Sequence, residues 1–87
     1  MIRTRLVKCG LFELVQLRWP KGHRIPHHSH TGTCIMSVKS GTLLEETPKH
    51  QKVLGDGSFS VSYRNDSHSV TAIESSVSYH IYFNKSI

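Results

Sequence analysis

Apolar and polar positions alternate along most of this chain, in short runs separated by small and polar residues. Leu11 to Trp19 is rich in apolar residues and ends at Pro20, while Cys34 to Val38 is a shorter, mostly apolar run. Lys39-Ser40-Gly41 turns that run, and Thr42 to Glu46 returns from it. Gln51 to Leu54 is closed by Gly55-Asp56-Gly57, and Ser58 to Tyr63 then sets Phe59, Val61 and Tyr63 on one face. Ser67 to Ile73 and Val77 to Phe83 complete the series. No segment carries apolar residues at i, i+3, i+4 and i+7 over three turns, so helices are not expected. Many short strands at regular spacing predict an all-β sandwich or barrel. Pro20, Pro26 and Pro48 fall where strand edges or loops are expected, the places where a missing amide costs least. Nothing in the pattern marks a linker or a repeat, and the expectation is one domain over 1–87.

Composition narrows this picture. A domain of 87 residues buries only ~60–65% of its unfolded surface, which leaves a thin stability margin. Two cysteines, Cys9 and Cys34, make at most one disulfide, so the chain is not a disulfide framework. No run has the charged start and apolar stretch of a signal peptide, nor the ~20 apolar residues of a membrane span, and a cytoplasmic protein is expected. The formal charge is +5, but the lysines and arginines are spread along the whole chain with no nucleic-acid-binding motif. Neither a nucleic-acid nor a membrane partner is expected. A barrel this short leaves open strand edges, which favours a homodimer.

The unusual feature is histidine: seven in all, four of them between His23 and His30. In an extended strand, side chains two apart share a face. His28 and His30 can therefore grip one metal ion, whereas His27 points away and His23 and His50 read as loop residues. From spacing alone the alternative is a surface histidine cluster. Two longer patterns bear on the choice. Gly22-x5-His28-x-His30-x3-Cys34-x6-Gly41 resembles the first cupin motif, G-x5-H-x-H-x3-4-E-x6-G, with cysteine in place of glutamate. Gly57-x5-Tyr63-x-Asn65-x2-His68-x3-Ala72 keeps the first glycine and the histidine of the second motif. The resemblance implies a small cupin (a double-stranded β-helix, or jelly-roll barrel) with His28, His30 and His68 as metal ligands. No carboxylate stands at the motif's glutamate position; Glu13, Glu45, Glu46, Asp56, Asp66 and Glu74 all lie elsewhere. Three imidazoles suit several metals, so ligand type does not choose among them.

The segment from Trp19 to Thr47, WPKGHRIPHHSHTGTCIMSVKSGTLLEET, resembles the thiol dioxygenases and cysteine dioxygenase in particular. That family has W-x-x-G-H, then H-x-H-T, then a cysteine in place of the cupin glutamate, then G-x-L-x-E-T. Ser78-Tyr79-His80-Ile81-Tyr82 resembles its S-x-H-x-Y motif. The resemblance implies Fe(II) at the three histidines, with zinc, nickel or manganese as alternatives in the isolated protein. It implies a Cys34–Tyr82 pair able to form a thioether, and a Ser78–His80–Tyr82 relay beside the metal. It also implies an arginine for the substrate carboxylate, Arg3 or Arg5. The reaction implied is oxidation of a small, cysteine-like thiol by O2 to its sulfinic acid. Residues 78, 80 and 82 share a strand face, whereas Tyr79, Ile81 and Phe83 read as core. The chain departs from the family in its length and in two shortened spacings, His30 to Cys34 and His68 to His80. The alternative function is a minimal metal-binding cupin of another class, either a different small-molecule dioxygenase or a non-catalytic module.

Overall fold

The structure is a computed structural model that describes residues 1–29, 32–63 and 66–83. These residues form nine strands: β1 (Ile2–Lys8), β2 (Phe12–Trp19), β3 (Arg24–Ser29), β4 (Cys34–Ser40), β5 (Leu43–Glu46), β6 (Gln51–Leu54), β7 (Phe59–Ser62), β8 (Ser67–Ala72) and β9 (Ser76–Phe83). They build two antiparallel sheets, ordered β1-β2-β9-β4-β7 and β3-β8-β5-β6. The described residues contain no helix long and apolar enough to cross a membrane. Pro26 falls inside β3, but β3 is an edge strand whose register slips between Ile25 and His28, so the lost amide breaks no regular ladder.

Three of the turns need glycine. Gly22, Gly41 and Gly57 have φ of 86°, 95° and 80°, a region where an L side chain is strained. They are the three glycines singled out by motif spacing. At Gly41 space forbids a side chain as well: a Cβ would stand 2.2 Å from Ser76 Oγ and 2.6 Å from the Ser75 carbonyl.

The inner faces of the two sheets run from apolar to polar along the strands. Near one end Leu17 and Val38 of the larger sheet flank Ser78, while Leu54, Leu43 and Ala72 form a row in the smaller one. With Trp19, Val15, Met36 and Val70 these make the buried core. At the other end the inner rows read Glu13–Tyr82–Cys34–Ser62 and His28–His68.

Two strands turn a face the pattern did not foresee. In β9, Tyr79, Ile81 and Phe83 lie on the outer face, and Ser78, His80 and Tyr82 on the inner one. In β7, Phe59 and Val61 are exposed, and Ser60 and Ser62 are buried. Alternation tells which residues share a face, not which face meets the core.

Candidate metal centre

His28 and His68 are direct cross-strand partners on β3 and β8, and their rings lie 4.6 Å apart between centroids. His28 Nδ1 lies 2.8 Å from the Pro26 carbonyl oxygen, and a carbonyl can only accept, so that nitrogen carries the proton. His68 Nδ1 lies 2.6 Å from Glu45 Oε2, which fixes its tautomer in the same way. Both rings are thus left with a lone pair on Nε2, and the two Nε2 atoms face each other at 3.1 Å. Two acceptors do not bond to one another; a cation between them satisfies both. Nitrogens held about 2.0–2.1 Å from one ion are about 3 Å apart when they subtend a right angle. The donor set therefore fits a metal ion. His30 and Asn65 of the two motifs lie outside the described residues. Among the described residues, no group of three histidine, cysteine or carboxylate side chains comes together as ligands.

Glu45 is the residue the motif reading passed over. It occupies the inner face of β5, two residues after the buried Leu43, and is itself only 3% exposed. Besides His68 it accepts a hydrogen bond from Ser60 at 2.7 Å, and Lys52 Nζ lies 3.9 Å away. Burial alone would raise its carboxyl. The hydrogen bonds from His68 and Ser60, together with the charge of Lys52, outweigh burial and hold it below the ordinary range. A carboxylate bound to the far nitrogen of a ligand histidine orients the ring and raises its basicity. Glu45 thus supplies a buried carboxylate in contact with His68, although it stands at no motif position. The signal was present in Leu43-Leu44-Glu45, where a strand period of two puts Glu45 on the face of Leu43. Glu45, Ser60, Ser62, His68, Lys52 and His50 line a cavity of about 420 Å³ that opens beside this pair.

The facing wall comes from β4 and β9. β9 is the middle strand of its sheet, so its inner row is enclosed. Trp19 Nε1 donates to Ser78 Oγ at 2.8 Å. Ser78 Oγ thus accepts the indole hydrogen bond, and its own hydroxyl can donate to His80 Nε2, 2.7 Å away. The His80 and Tyr82 rings stack, 5.9 Å apart with an interplanar angle of 15°. Tyr82 pairs directly with Cys34 across the strands. Burial, followed by the nearby Glu45 charge, pushes the Cys34 thiol up to about 12. Burial and then Cys34 push the Tyr82 phenol to about 12 against the opposing charge of Arg3. Cys9, by contrast, is exposed.

Arg3 and Arg5 both reach Glu13, which faces inward from β2 beside Tyr82. Arg5 Nε lies 2.5 Å from its carboxylate and Arg3 3.6 Å. Desolvation raises the Glu13 carboxyl, but the hydrogen bond from Arg5 and the charges of Arg5, Arg3 and Lys8 bring it below its ordinary value. Both guanidinium groups are half exposed at the rim and engaged with an anion already in place.

No protein-family model matches the chain, and no curated protein matches it. Solved structures do. A cupin superfamily protein from Desulfitobacterium hafniense superposes with a TM-score of 0.90 at 8% identity, over 94% of this chain and 75% of that one. KdgF from Halomonas sp. gives 0.89 at 19% identity, over 97% of this chain and 78% of that one. A cupin domain from Bordetella pertussis gives 0.75 at 22% identity, over 94% and 91%. At these identities the likeness speaks to architecture alone, and together with the two antiparallel sheets it establishes that the chain has the fold of a small cupin.

Proposed function

We propose that this protein is a non-haem iron thiol dioxygenase that converts a small, cysteine-like thiol to its sulfinic acid with O2. The observation that carries this reading is the inner end of β9. Tyr82 sits across from Cys34, and the hydrogen-bonded Trp19–Ser78–His80 row leads up to it on the wall opposite His28 and His68. A metal site of another chemistry has no use for that row.

In this reading His28, His30 and His68 hold the metal, and Glu45 fixes the His68 ring. Ferrous iron bound there supplies the activation of dioxygen toward a thiolate. The sulfur gives up four electrons, dioxygen accepts four, its O–O bond breaks and both oxygens end on sulfur, so no external reductant enters. Tyr82, with its phenol near 12, stays protonated at neutral pH and donates a hydrogen bond to the bound substrate rather than taking a proton. Cys34 stays a neutral thiol beside it. Arg3 or Arg5 receives the substrate carboxylate, sharing its charge with Glu13. The partners are then a small thiol and O2.

Oxygen uptake by the ferrous-loaded protein with cysteine, 3-mercaptopropionate and cysteamine tests the reading. The expected result is thiol-dependent uptake of one O2 per sulfinate formed, abolished in His68→Ala. No uptake with any of the three thiols overturns it. A second reading, a metal-binding cupin of another class, is favoured by the Glu45–His68 pair, because a carboxylate behind a ligand histidine serves any metal.

A further inference from the structure

On one side of the sandwich β6 and β7 are the edges of their two sheets, and a short turn over 55–58 joins them. Ser60 Oγ on β7 donates to Glu45 Oε1 across the gap at 2.7 Å, and further along the strands the gap widens into the cavity of about 420 Å³. That volume is in the range of small-molecule sites, roughly 300–1,000 Å³. His68 forms one wall. Its Nδ1 edge, bonded to Glu45, faces the cavity, whereas its Nε2 edge faces His28, which is not part of the lining. The ring therefore stands between this cavity and the metal position.

Two donors on the walls lack a close acceptor. His68 Nδ1 carries the proton it gives to Glu45, so it cannot accept from Ser62 Oγ, 3.5 Å away. The Ser62 hydroxyl proton, on a residue only 7% exposed, is thus left for the cavity. The second donor is Lys52. It pairs with Glu45 across the strands and lies two residues before the core residue Leu54, so it occupies the inner face of β6. Its side chain is 46% exposed and its Nζ reaches Glu45 only at 3.9 Å, while His68 and Ser60 hold the two carboxylate oxygens more closely. Lys49 adds a second ammonium to the lining, and Pro48 and Val61 add apolar surface.

We propose that this cavity binds a small organic monocarboxylate. The Lys52 ammonium and the Ser62 hydroxyl take its oxygens, and its carbon body lies against Pro48 and Val61. An ammonium and a hydroxyl on one cavity wall make a donor pair for an anion, and bonds to a charged acceptor are the stronger kind. A single negative charge fits best, because Glu45 already draws on Lys52 and would repel a dianion more strongly. The arginine rim is a different place. Glu13, Tyr82, Cys34 and Ser62 are registered neighbours in turn, so Glu13 and Ser62 stand three strand spacings apart, about 14 Å. The site needs neither iron nor a thiol and is independent of the proposed reaction.

Isothermal titration calorimetry of the full chain with benzoate tests this. One site with a Kd of about 1 mM or tighter is expected, within reach of so small a ligand. Benzamide, of the same shape without the charge, should bind at least about tenfold more weakly. Lys52→Met keeps the stem and removes the ammonium, and should weaken benzoate at least about tenfold; Ser62→Ala should weaken it about 3–10-fold. Far-UV circular dichroism should be unchanged for both. Lys52→Arg should bind within about threefold of wild type, since a guanidinium also pairs with a carboxylate. Arg5→Gln, on the other rim, should leave the Kd unchanged, and so should saturating imidazole, a neutral ligand for a metal ion. No benzoate binding by the wild type, equal binding of benzamide, or undiminished affinity in folded Lys52→Met or Ser62→Ala would each overturn the site. Loss of binding in Arg5→Gln or under imidazole would overturn it too, by placing the carboxylate at the arginines or on the metal.

Discussion

The two ends of the space between the sheets are built by the same strands with opposite chemistry. At one end β2, β4, β5, β6 and β8 contribute Leu17, Val38, Leu43, Leu54 and Ala72, all buried and all apolar. A few residues along, the same strands and their neighbours contribute Glu13, Cys34, Glu45, His68 and Tyr82. The difference shows how so small a domain affords a polar interior. The apolar end supplies the cohesion. The polar end is tolerated because its buried groups bond to one another, Glu45 to His68 and Ser60, and the polar row that reaches it from the apolar end is bonded too, Ser78 to Trp19 and His80. An unpaired group there would cost about 1–3 kcal/mol.

The largest effect is expected from breaking the apolar end. Leu43 is fully buried, and Leu43→Ala should lower unfolding stability by about 2–5 kcal/mol. That is a large share of the total for a domain of this size, and urea denaturation followed by tryptophan fluorescence measures it. At the polar end Glu45→Gln keeps the shape and an acceptor for His68 but removes the charge. It should weaken metal affinity about 10–100-fold while leaving the urea midpoint nearly unchanged, as read by competition with a metal-binding dye. If Glu45→Gln instead unfolds the chain, the polar end is structural and the contrast fails.

The smallest effect is chemical. In a chain without the Cys34–Tyr82 thioether, iodoacetamide at pH 8 should modify Cys9 alone in the native state, and both cysteines in urea, as intact mass will show. The native Cys34 thiol ionises near 12, well above an unfolded cysteine. The unfolded chain therefore loses that proton first. This contribution to stability is complete below about pH 8.5 and is lost progressively as pH rises toward 12. A single adduct even in urea would mark the thioether.

Much of the fold was legible because strands write themselves locally. Period-two alternation and turn residues located seven of the nine described strands to within a few residues, leaving β1 and β3 out of the series, and motif spacing picked out the three glycines with positive φ. The site was legible in part. His28 and His68, forty residues apart, were paired by motif spacing, and the structure brings their Nε2 atoms face to face. Ser78, His80 and Tyr82 were placed on one strand face by period two, and they lie on the inner one.

The partner of His68 was missed. Glu45 holds no motif position, and its neighbour on the adjoining strand of the same sheet depends on how β5 and β8 pair. Tyr79, Ile81 and Phe83 were read as core and lie on the outer face, and Phe59 and Val61 were placed together without deciding which side they take. Alternation is symmetric between the two sides of a strand, and which side meets the core depends on every other strand in the sheet. The sequence by itself determined what is local: strand, turn, and which side chains travel together. Only the tertiary structure decided what faces what, because burial belongs to the packed sheets and not to any segment of the chain.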